Sequence, residues 1–471
     1  MKKFFSLILS FLMALGLCVN ANATQNANAK YTITINNAVE GHTYEAYQIF
    51  TGDLSDDGKT LSNIVWGTGV DDSYTVEKNA TEYAQRFVDN GAKGEATEMG
   101  NHLSSTHTDS GTFDATNNSY TISNLQRGYY LVKDKDGTQA GHDDAYTEYV
   151  VHLVQDVTIS PKSGKPTADK KIDETEDVVY SSNYAVGDTV KYIMTGTMPD
   201  AATYEDYATY KYIFHDTMAA GLDYVAGSAK VYVGGTEITD KFSINYANHV
   251  LTVSCDDTKA VSEITAGSTI TVKYSATVNS NAVRGVTGNK NTLVIEFSNN
   301  PYTDETGKTT EVETKVFIFD IIFNKIDSKE ETALYGAGFT LYRKVNGQWV
   351  EWATITDTNK VNNIFKFEGL SVGDYKLVET TTPDGYNTLA DVEFTVSADY
   401  NESGLSALNG TKFSFTADLN EGSLTAKVKN VKGVQLPFTG GAGAIVFTVL
   451  GLTIMATAVT VLISTRKKKE I

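Results

Sequence analysis

The chain of 471 residues contains two cysteines, and one of them, Cys18, lies in an apolar run at 4–19 that Lys2 and Lys3 precede. With the small-x-small triplet Ala21-Asn22-Ala23 behind it, that stretch reads as a signal peptide over 1–23, removed on export. The large Leu17 before Cys18 argues against a lipoprotein leader. Cys255 is then the sole cysteine of the mature chain, which excludes an intramolecular disulfide. For an exported protein this is unusual, and it raises the question of what staples the fold.

Other shortages narrow the reading further. Six prolines and few long amphipathic stretches, beside 27 tyrosines, 20 phenylalanines and abundant Thr and Val, point to an all-β chain. Basic residues are outnumbered 39 to 58, and the net charge of −19 argues against nucleic acid and anionic membrane as partners. Metal-ligand spacing is missing: the seven histidines are scattered, and His102 with His107 makes no useful pair. Asp53, Ser55, Asp57 and Gly58 open like a calcium loop, but Ile64 stands where that loop needs its Glu, so a turn and no metal is expected. Neither a Ser/His/Asp or Cys/His constellation nor a phosphate-cradling loop is present, so neither an enzyme nor a cofactor is expected.

A mature segment of about 415 residues suggests roughly three domains. The first is placed at 24–163. Tyr31-Thr32-Ile33-Thr34-Ile35 alternates as a half-buried strand should, and Asn36-Asn37 and Glu40-Gly41 supply turns. One helix is expected over 81–99 with Tyr83, Phe87 and Val88 inward, then strands at Tyr120-Thr121-Ile122 and 128–134. Lys133 and Asp134 form no recognisable triad, so no cross-link is expected in this domain. Val157-Thr158-Ile159-Ser160-Pro161-Lys162 closes it; Pro161 stops the strand and presents Lys162 at an exposed junction. Ser163-Gly164-Lys165-Pro166 is the linker.

In the next two segments, 164–315 and 316–433, polar residues fall in phase with apolar ones. The period of two sets Lys170 beside Ala168 and Ile172, Asp216 beside Tyr212 and Phe214, and Asn291 beside Leu293, Ile295 and Phe297. Lys171 in place of Lys170, and Asn289 in place of Asn291, remain alternatives. Further on, Lys325 follows Ile321 and Phe323, Glu379 follows Tyr375 and Leu377, and Asn430 follows Leu424, Ala426 and Val428. A charge placed alone in such a core is costly unless it is paired or neutralised.

At 434–471 the chain carries Leu436-Pro437-Phe438-Thr439-Gly440, twenty uncharged residues at 444–463, and Arg466-Lys467-Lys468-Lys469. Twenty apolar residues cross a hydrocarbon core of roughly 30 Å, and the basic cluster stays on the cytoplasmic side. This order resembles the cell-wall sorting signal of Gram-positive surface proteins. The resemblance implies that a sortase cysteine cuts between Thr439 and Gly440 and transfers the Thr439 carbonyl to an amine.

Residues Phe323-Asn324-Lys325-Ile326-Asp327, Gly338-Phe339-Thr340-Leu341-Tyr342, the stretch 373–380 and Pro383-Asp384-Gly385-Tyr386 are similar to the CnaB-type domain of Gram-positive adhesins and pilins. The segment 164–315 looks like the CnaA-like middle domain of the same pilins. Val157 to Lys162 resembles their pilin motif, with Ser160 where a Tyr is usual and no clear upstream Trp. The whole layout resembles a sortase-assembled backbone pilin of the SpaA/FimA type. It implies an all-β chain of tandem immunoglobulin-like sandwiches (CnaA-like and CnaB-like), with a signal peptide and a C-terminal transmembrane helix.

It also implies isopeptide bonds from Lys325 to Asn430, assisted by Glu379, and from Lys170 to Asn291, assisted by Asp216. The chemistry fits such residues: burial disfavours charge on the lysine and on the carboxyl alike, leaving a usable amine and a carboxyl that shuttles protons as ammonia departs. Lys162 is implied as the acceptor for the Thr439 of the next copy. The implied partners are a pilin-polymerising (class C) sortase, a housekeeping sortase, copies of itself, ancillary pilins, peptidoglycan and host ligands. A solitary wall-anchored adhesin, or an ancillary tip or base pilin, would share all of this except the need for Lys162.

Overall fold

The computed structural model describes residues 29–38, 40–56, 58–89, 92–106, 108–138, 146–161, 164–174, 177–433 and 442–467. They form three successive β-sandwiches and one terminal helix. In the N-terminal sandwich, the strands Thr112–Asp114, Ser119–Leu125, Tyr31–Asn36 and Val157–Ile159 make one sheet. Leu61–Trp66, Tyr44–Leu54, Gly128–Asp134 and Glu148–Leu153 make the other. Ile33, Ile35 and Ile122 from the first sheet meet Ala46, Tyr130 and Val132 from the second in a shared core.

The outer face of the second sheet is covered too. Tyr83, Ala84, Phe87 and Met99 pack there against Ile49, Phe50, Tyr129 and Leu131. Gly128–Asp134 is therefore buried at every position and loses the one-in, one-out pattern of a half-exposed strand. The covering residues come from two helices, Ala80–Asp89 and Ala92–Gly100, rather than from the single helix expected over 81–99. Asn90-Gly91, a turn signal in the sequence that the helical periodicity outweighs, lies outside the described residues.

The middle sandwich sets the strands Thr167–Asp173, Thr189–Thr197 and Thr269–Val278 side by side in one sheet. Val312–Phe317, Asn289–Ser298, Tyr212–Met218 and Val250–Cys255 lie in the other. Alternation here is clean: Ile270, Val272, Tyr274, Ala276 and Val278 all point inward. In the C-terminal sandwich, Phe319–Asp327 lies between Ile364–Leu370 and Ser423–Asn430, facing a sheet that contains Gly338–Val345 and Gly373–Thr381. Its first and last strands run parallel and in contact, which brings the two ends of the domain together.

Specific contacts join the sandwiches. Tyr302, from the middle one, donates its hydroxyl to Glu148 of the first and packs edge-on to Tyr146 at 5.6 Å. Between the middle and last, Arg284 Nε donates to Asp320 Oδ1 at 3.1 Å and Arg343 holds both oxygens of Asp188 at 3.0 and 3.1 Å. Asn183 bridges to the Val372 amide (2.8 Å) and the Tyr400 hydroxyl (2.7 Å). Beyond them stands the helix Ala442–Lys467, whose segment 447–466 is long and apolar enough to cross a membrane. Its Thr453, Thr457, Thr460 and Thr465 hydroxyls bond back to carbonyls of the preceding turn, so they need no water.

Candidate functional site

Two polar clusters sit in otherwise apolar cores. In the C-terminal sandwich the alternation Ile321, Phe323, Lys325 carries the lysine inward with full burial. The parallel register sets Lys325 opposite Val428 and Asp327 opposite Asn430, so lysine and asparagine are close neighbours on adjacent strands. Glu379 arrives from Gly373–Thr381 in the facing sheet. Lys325 Nζ lies 2.9 Å from Glu379 Oε1 and donates to Asn430 Oδ1. Asn430 Nδ2 in turn donates to both Glu379 oxygens, at 2.9 Å each. Glu379 Oε2 is further held by the Leu389 amide at 2.6 Å. Burial pushes the Lys325 ammonium below the usual lysine range, with Glu379 opposing the shift.

In the middle sandwich Lys170, Asp216 and Asn291 are all fully buried. Lys170 lies opposite Met194 on its own sheet; Asp216 and Asn291 come from adjacent antiparallel strands of the facing sheet. Lys170 Nζ donates to Asp216 Oδ1. Burial lowers the Lys170 pKa to about 8, the pairing with Asp216 holding it from falling further. A fourth residue, absent from the sequence reading, stands among them. The Tyr274 hydroxyl accepts from Lys170 Nζ at 3.0 Å and from Asn291 Nδ2 at 2.6 Å, and donates to Asp216 Oδ2.

The alternatives left open by the sequence separate here. Lys171 turns outward, its Nζ 3.7 Å from Asp169 and over the Tyr180 ring. Asn289 is buried but occupied with backbone: it accepts from Val283 N at 2.8 Å and donates to Val283 O and Val316 O at 2.9 and 3.1 Å. In the N-terminal sandwich, Lys133 bonds the half-exposed Asp136 at 3.0 Å, while Asp134 is engaged by His42 and the Thr147 amide. Lys162, the motif Leu436, Pro437, Phe438, Thr439 and Gly440, and the segment 1–23 expected to be a leader lie outside the described residues.

What both clusters can do chemically is clear from contact order. An amine whose charge is disfavoured touches, directly or through one hydroxyl, the amide of an asparagine and a carboxyl able to carry a proton. Groups held in this way have the high effective concentration that amide exchange needs.

Known proteins agree with this architecture. Residues 319–411 match a family model described as SpaA, a prealbumin-like fold domain, and 428–470 match the LPXTG cell wall anchor motif. The chain is 28% identical over 254 residues to the trypsin-resistant surface T6 protein of Streptococcus pyogenes serotype M6; the match spans 48% of this chain and 44% of that relative. Among solved structures, the three-domain T6 backbone pilin of serotype M6 Streptococcus pyogenes superposes with a TM-score of 0.57 at 20% identity, over 86% of this chain and 99% of the other. The full-length major pilin SpaD of Corynebacterium diphtheriae gives 0.54 at 19% identity, over 88% and 100%. The chain thus carries a prealbumin-like domain and an LPXTG cell wall anchor motif, which mark a surface protein attached to the cell wall, and it shares its tandem-sandwich fold with these pilins, while spanning less than half the length of the curated relative it matches.

Proposed function

We propose that this chain is the structural backbone subunit of a covalent surface pilus that supports adhesion. In this reading the units are 24–163, 164–315 and 316–433, between a leader at 1–23 and a sorting signal at 434–471. A class C sortase opens the bond between Thr439 and Gly440 and passes the Thr439 carbonyl to the Lys162 amine of the next copy. Because this contact joins unlike ends and does not close, it generates a filament. A housekeeping sortase then joins the last copy to peptidoglycan, and ancillary pilins and host ligands attach to the finished fibre.

The observation that carries the reading is the repeated lysine–carboxyl–asparagine cluster in two tandem cores. Each is arranged for a spontaneous isopeptide bond. The neutral Lys325 amine attacks Asn430 Cγ, Glu379 takes a proton from the amine and returns one to Nδ2, and ammonia leaves. Lys170, Asn291 and Asp216 are assigned the same parts in the middle sandwich. Such bonds supply the staple that a single cysteine cannot, in a fibre exposed to pulling. The chain is thus a substrate of sortases and reacts only with itself.

The test is an immunoblot of cell-wall extracts boiled in detergent and reductant, wild type beside Lys162→Ala. A high-mass ladder that collapses to monomer in the variant establishes the polymer and its acceptor. A ladder that survives moves the acceptor to another lysine such as Lys165. A single wall-linked band in both strains overturns the backbone reading in favour of a solitary adhesin.

A further inference from the structure

The two clusters differ by one methylene and one hydroxyl. Glu379 touches both reacting partners itself, Lys325 Nζ and Asn430 Nδ2, each at 2.9 Å. Asp216 is one methylene shorter. It bonds Lys170, but the amide nitrogen of Asn291 donates instead to the Tyr274 hydroxyl, 2.6 Å away. That hydroxyl donates its one proton to Asp216 Oδ2 and uses its two lone pairs for Asn291 Nδ2 and Lys170 Nζ, so its bonding capacity is full. The ring is fixed in place: Tyr274 lies directly opposite Tyr192 on the adjacent strand and stacks on it at 5.1 Å and 18°.

We infer that Tyr274 is a catalytic residue of the middle-sandwich cross-link, relaying the proton of Asp216 to the departing amide nitrogen of Asn291. This deepens the isopeptide reading above and rests on it. The balance runs as a cycle. The Lys170 amine attacks Asn291 Cγ, which frees a lone pair on Nδ2; the Tyr274 hydroxyl, which in the resting cluster donates to Asp216 Oδ2 and accepts from Nδ2, turns its proton to Nδ2 and takes in exchange the proton that Asp216 shares with Lys170. The Cγ–Nδ2 bond breaks, ammonia leaves, and the new amide nitrogen returns one proton to Asp216. Tyrosine and aspartate end as they began. Burial holds the Tyr274 phenol well above its ordinary pKa, so the hydroxyl must give and take in one step without passing through a phenolate. Asp216 and Tyr274 together therefore span the distance that Glu379 spans alone.

The experiment follows the intact mass of the full chain after synthesis, each bond removing one ammonia, with peptide mapping to assign the loss to a sandwich. Tyr274→Phe, which removes only the hydroxyl, should close the Lys325–Asn430 bond on schedule and the Lys170–Asn291 bond about 100-fold more slowly. Adding Asp216→Glu to Tyr274→Phe should restore the second bond, because the longer carboxylate reaches the amide as Glu379 does. A merely structural tyrosine would not be rescued by lengthening a different side chain. A folded Tyr274→Phe chain that links at the wild-type rate, or a folded double variant that still fails to link, overturns the relay. A wild-type chain with no ammonia lost from the middle sandwich overturns the bond itself, a separate result. Should Tyr274→Phe alone fail to fold, the double variant decides.

Discussion

Both carboxylate oxygens of Glu379 lie 2.9 Å from the same atom, Asn430 Nδ2, while Lys325 Nζ sits against the opposite end of that amide. The lysine and the asparagine are 105 residues apart in sequence yet near neighbours on adjacent parallel strands. A covalent link there closes almost the whole C-terminal sandwich into a ring.

Asn430→Ala should abolish that link and leave the chain heavier by one ammonia than a simple substitution predicts. By analogy with a disulfide closing a loop of this size, about 4–5 kcal/mol of stability goes with it. Glu379→Ala should also prevent linkage, and in addition leave Lys325 buried without its carboxylate. Intact mass and thermal unfolding of the two variants check both statements: loss of the bond without loss of stability would show that the ring does not constrain the unfolded chain.

The middle sandwich should respond to pH in a defined direction. Lys170 faces Asp216, the Tyr274 hydroxyl and the Tyr192 ring, and its pKa is lowered to about 8. Below that value Lys170 carries the proton that it shares with Asp216 across their hydrogen bond. Above it the shared proton leaves, and nothing remains to release ammonia. Linkage should therefore slow by about tenfold per pH unit above 8. The unlinked Asn291→Ala chain gives the thermodynamic counterpart. Its Lys170 binds a proton more weakly folded than unfolded, so stability should rise as pH climbs from about 8 to the unfolded value near 10.4, and be lower beneath that window. Stability that falls with pH across it would contradict the burial of Lys170 as an unfavourable charge.

Much of this was legible beforehand, and for one reason. A lysine, a carboxylate and an asparagine in phase with Ile, Phe and Leu violate the strand alternation, and the violation is visible without any structure. Tyr274 was not visible by that logic. It alternates with Ile270, Val272, Ala276 and Val278, so its period reads as ordinary core, and a hydroxyl is invisible to a hydrophobic pattern. The choice between Asn289 and Asn291 was equally beyond periodicity: both point inward, and only the backbone groups of Val283 and Val316 decide that Asn289 is already spoken for. Contacts between sandwiches left no trace in the sequence, because they join residues of different domains, from 36 positions apart for Arg284 and Asp320 to 155 for Asp188 and Arg343, with no periodicity to link them.

One such contact makes the first junction testable. Tyr302 reaches from the middle sandwich to Glu148, packs on Tyr146, and stands so close to Gly100 that a Cβ there would lie 2.3 Å from its hydroxyl oxygen. Tyr302→Ala should cost about 1–3 kcal/mol of coupling between the two sandwiches. Hydrogen exchange should then quicken in Glu148–Leu153 and in Ala92–Gly100, with the Lys325–Asn430 sandwich unchanged. Gly100→Ala should do the same from the other side. Exchange that stays as slow as in the wild type would mean the strap is ornamental.

The second junction is held differently, by backbone approach rather than by an inserted ring. Gly285 has φ +90°, and a Cβ there would lie 1.9 Å from the Asn420 carbonyl oxygen, a backbone atom that cannot rotate away. Beside it Arg284 is fastened to Asp320, whose Oδ1 also accepts from the Gly369 amide at 2.9 Å. Gly285→Ala should therefore force the sandwiches apart as well as strain the turn, whereas Arg284→Ala removes one ion pair and leaves the close approach intact. The expected order is a larger loss of stability for Gly285→Ala, by about 1–3 kcal/mol beyond Arg284→Ala, and a broader distribution of end-to-end distances in solution scattering. Equal effects would assign the junction to the ion pair; a compact, unaltered scattering profile for Gly285→Ala would show that the two sandwiches can separate by a few tenths of an ångström without consequence.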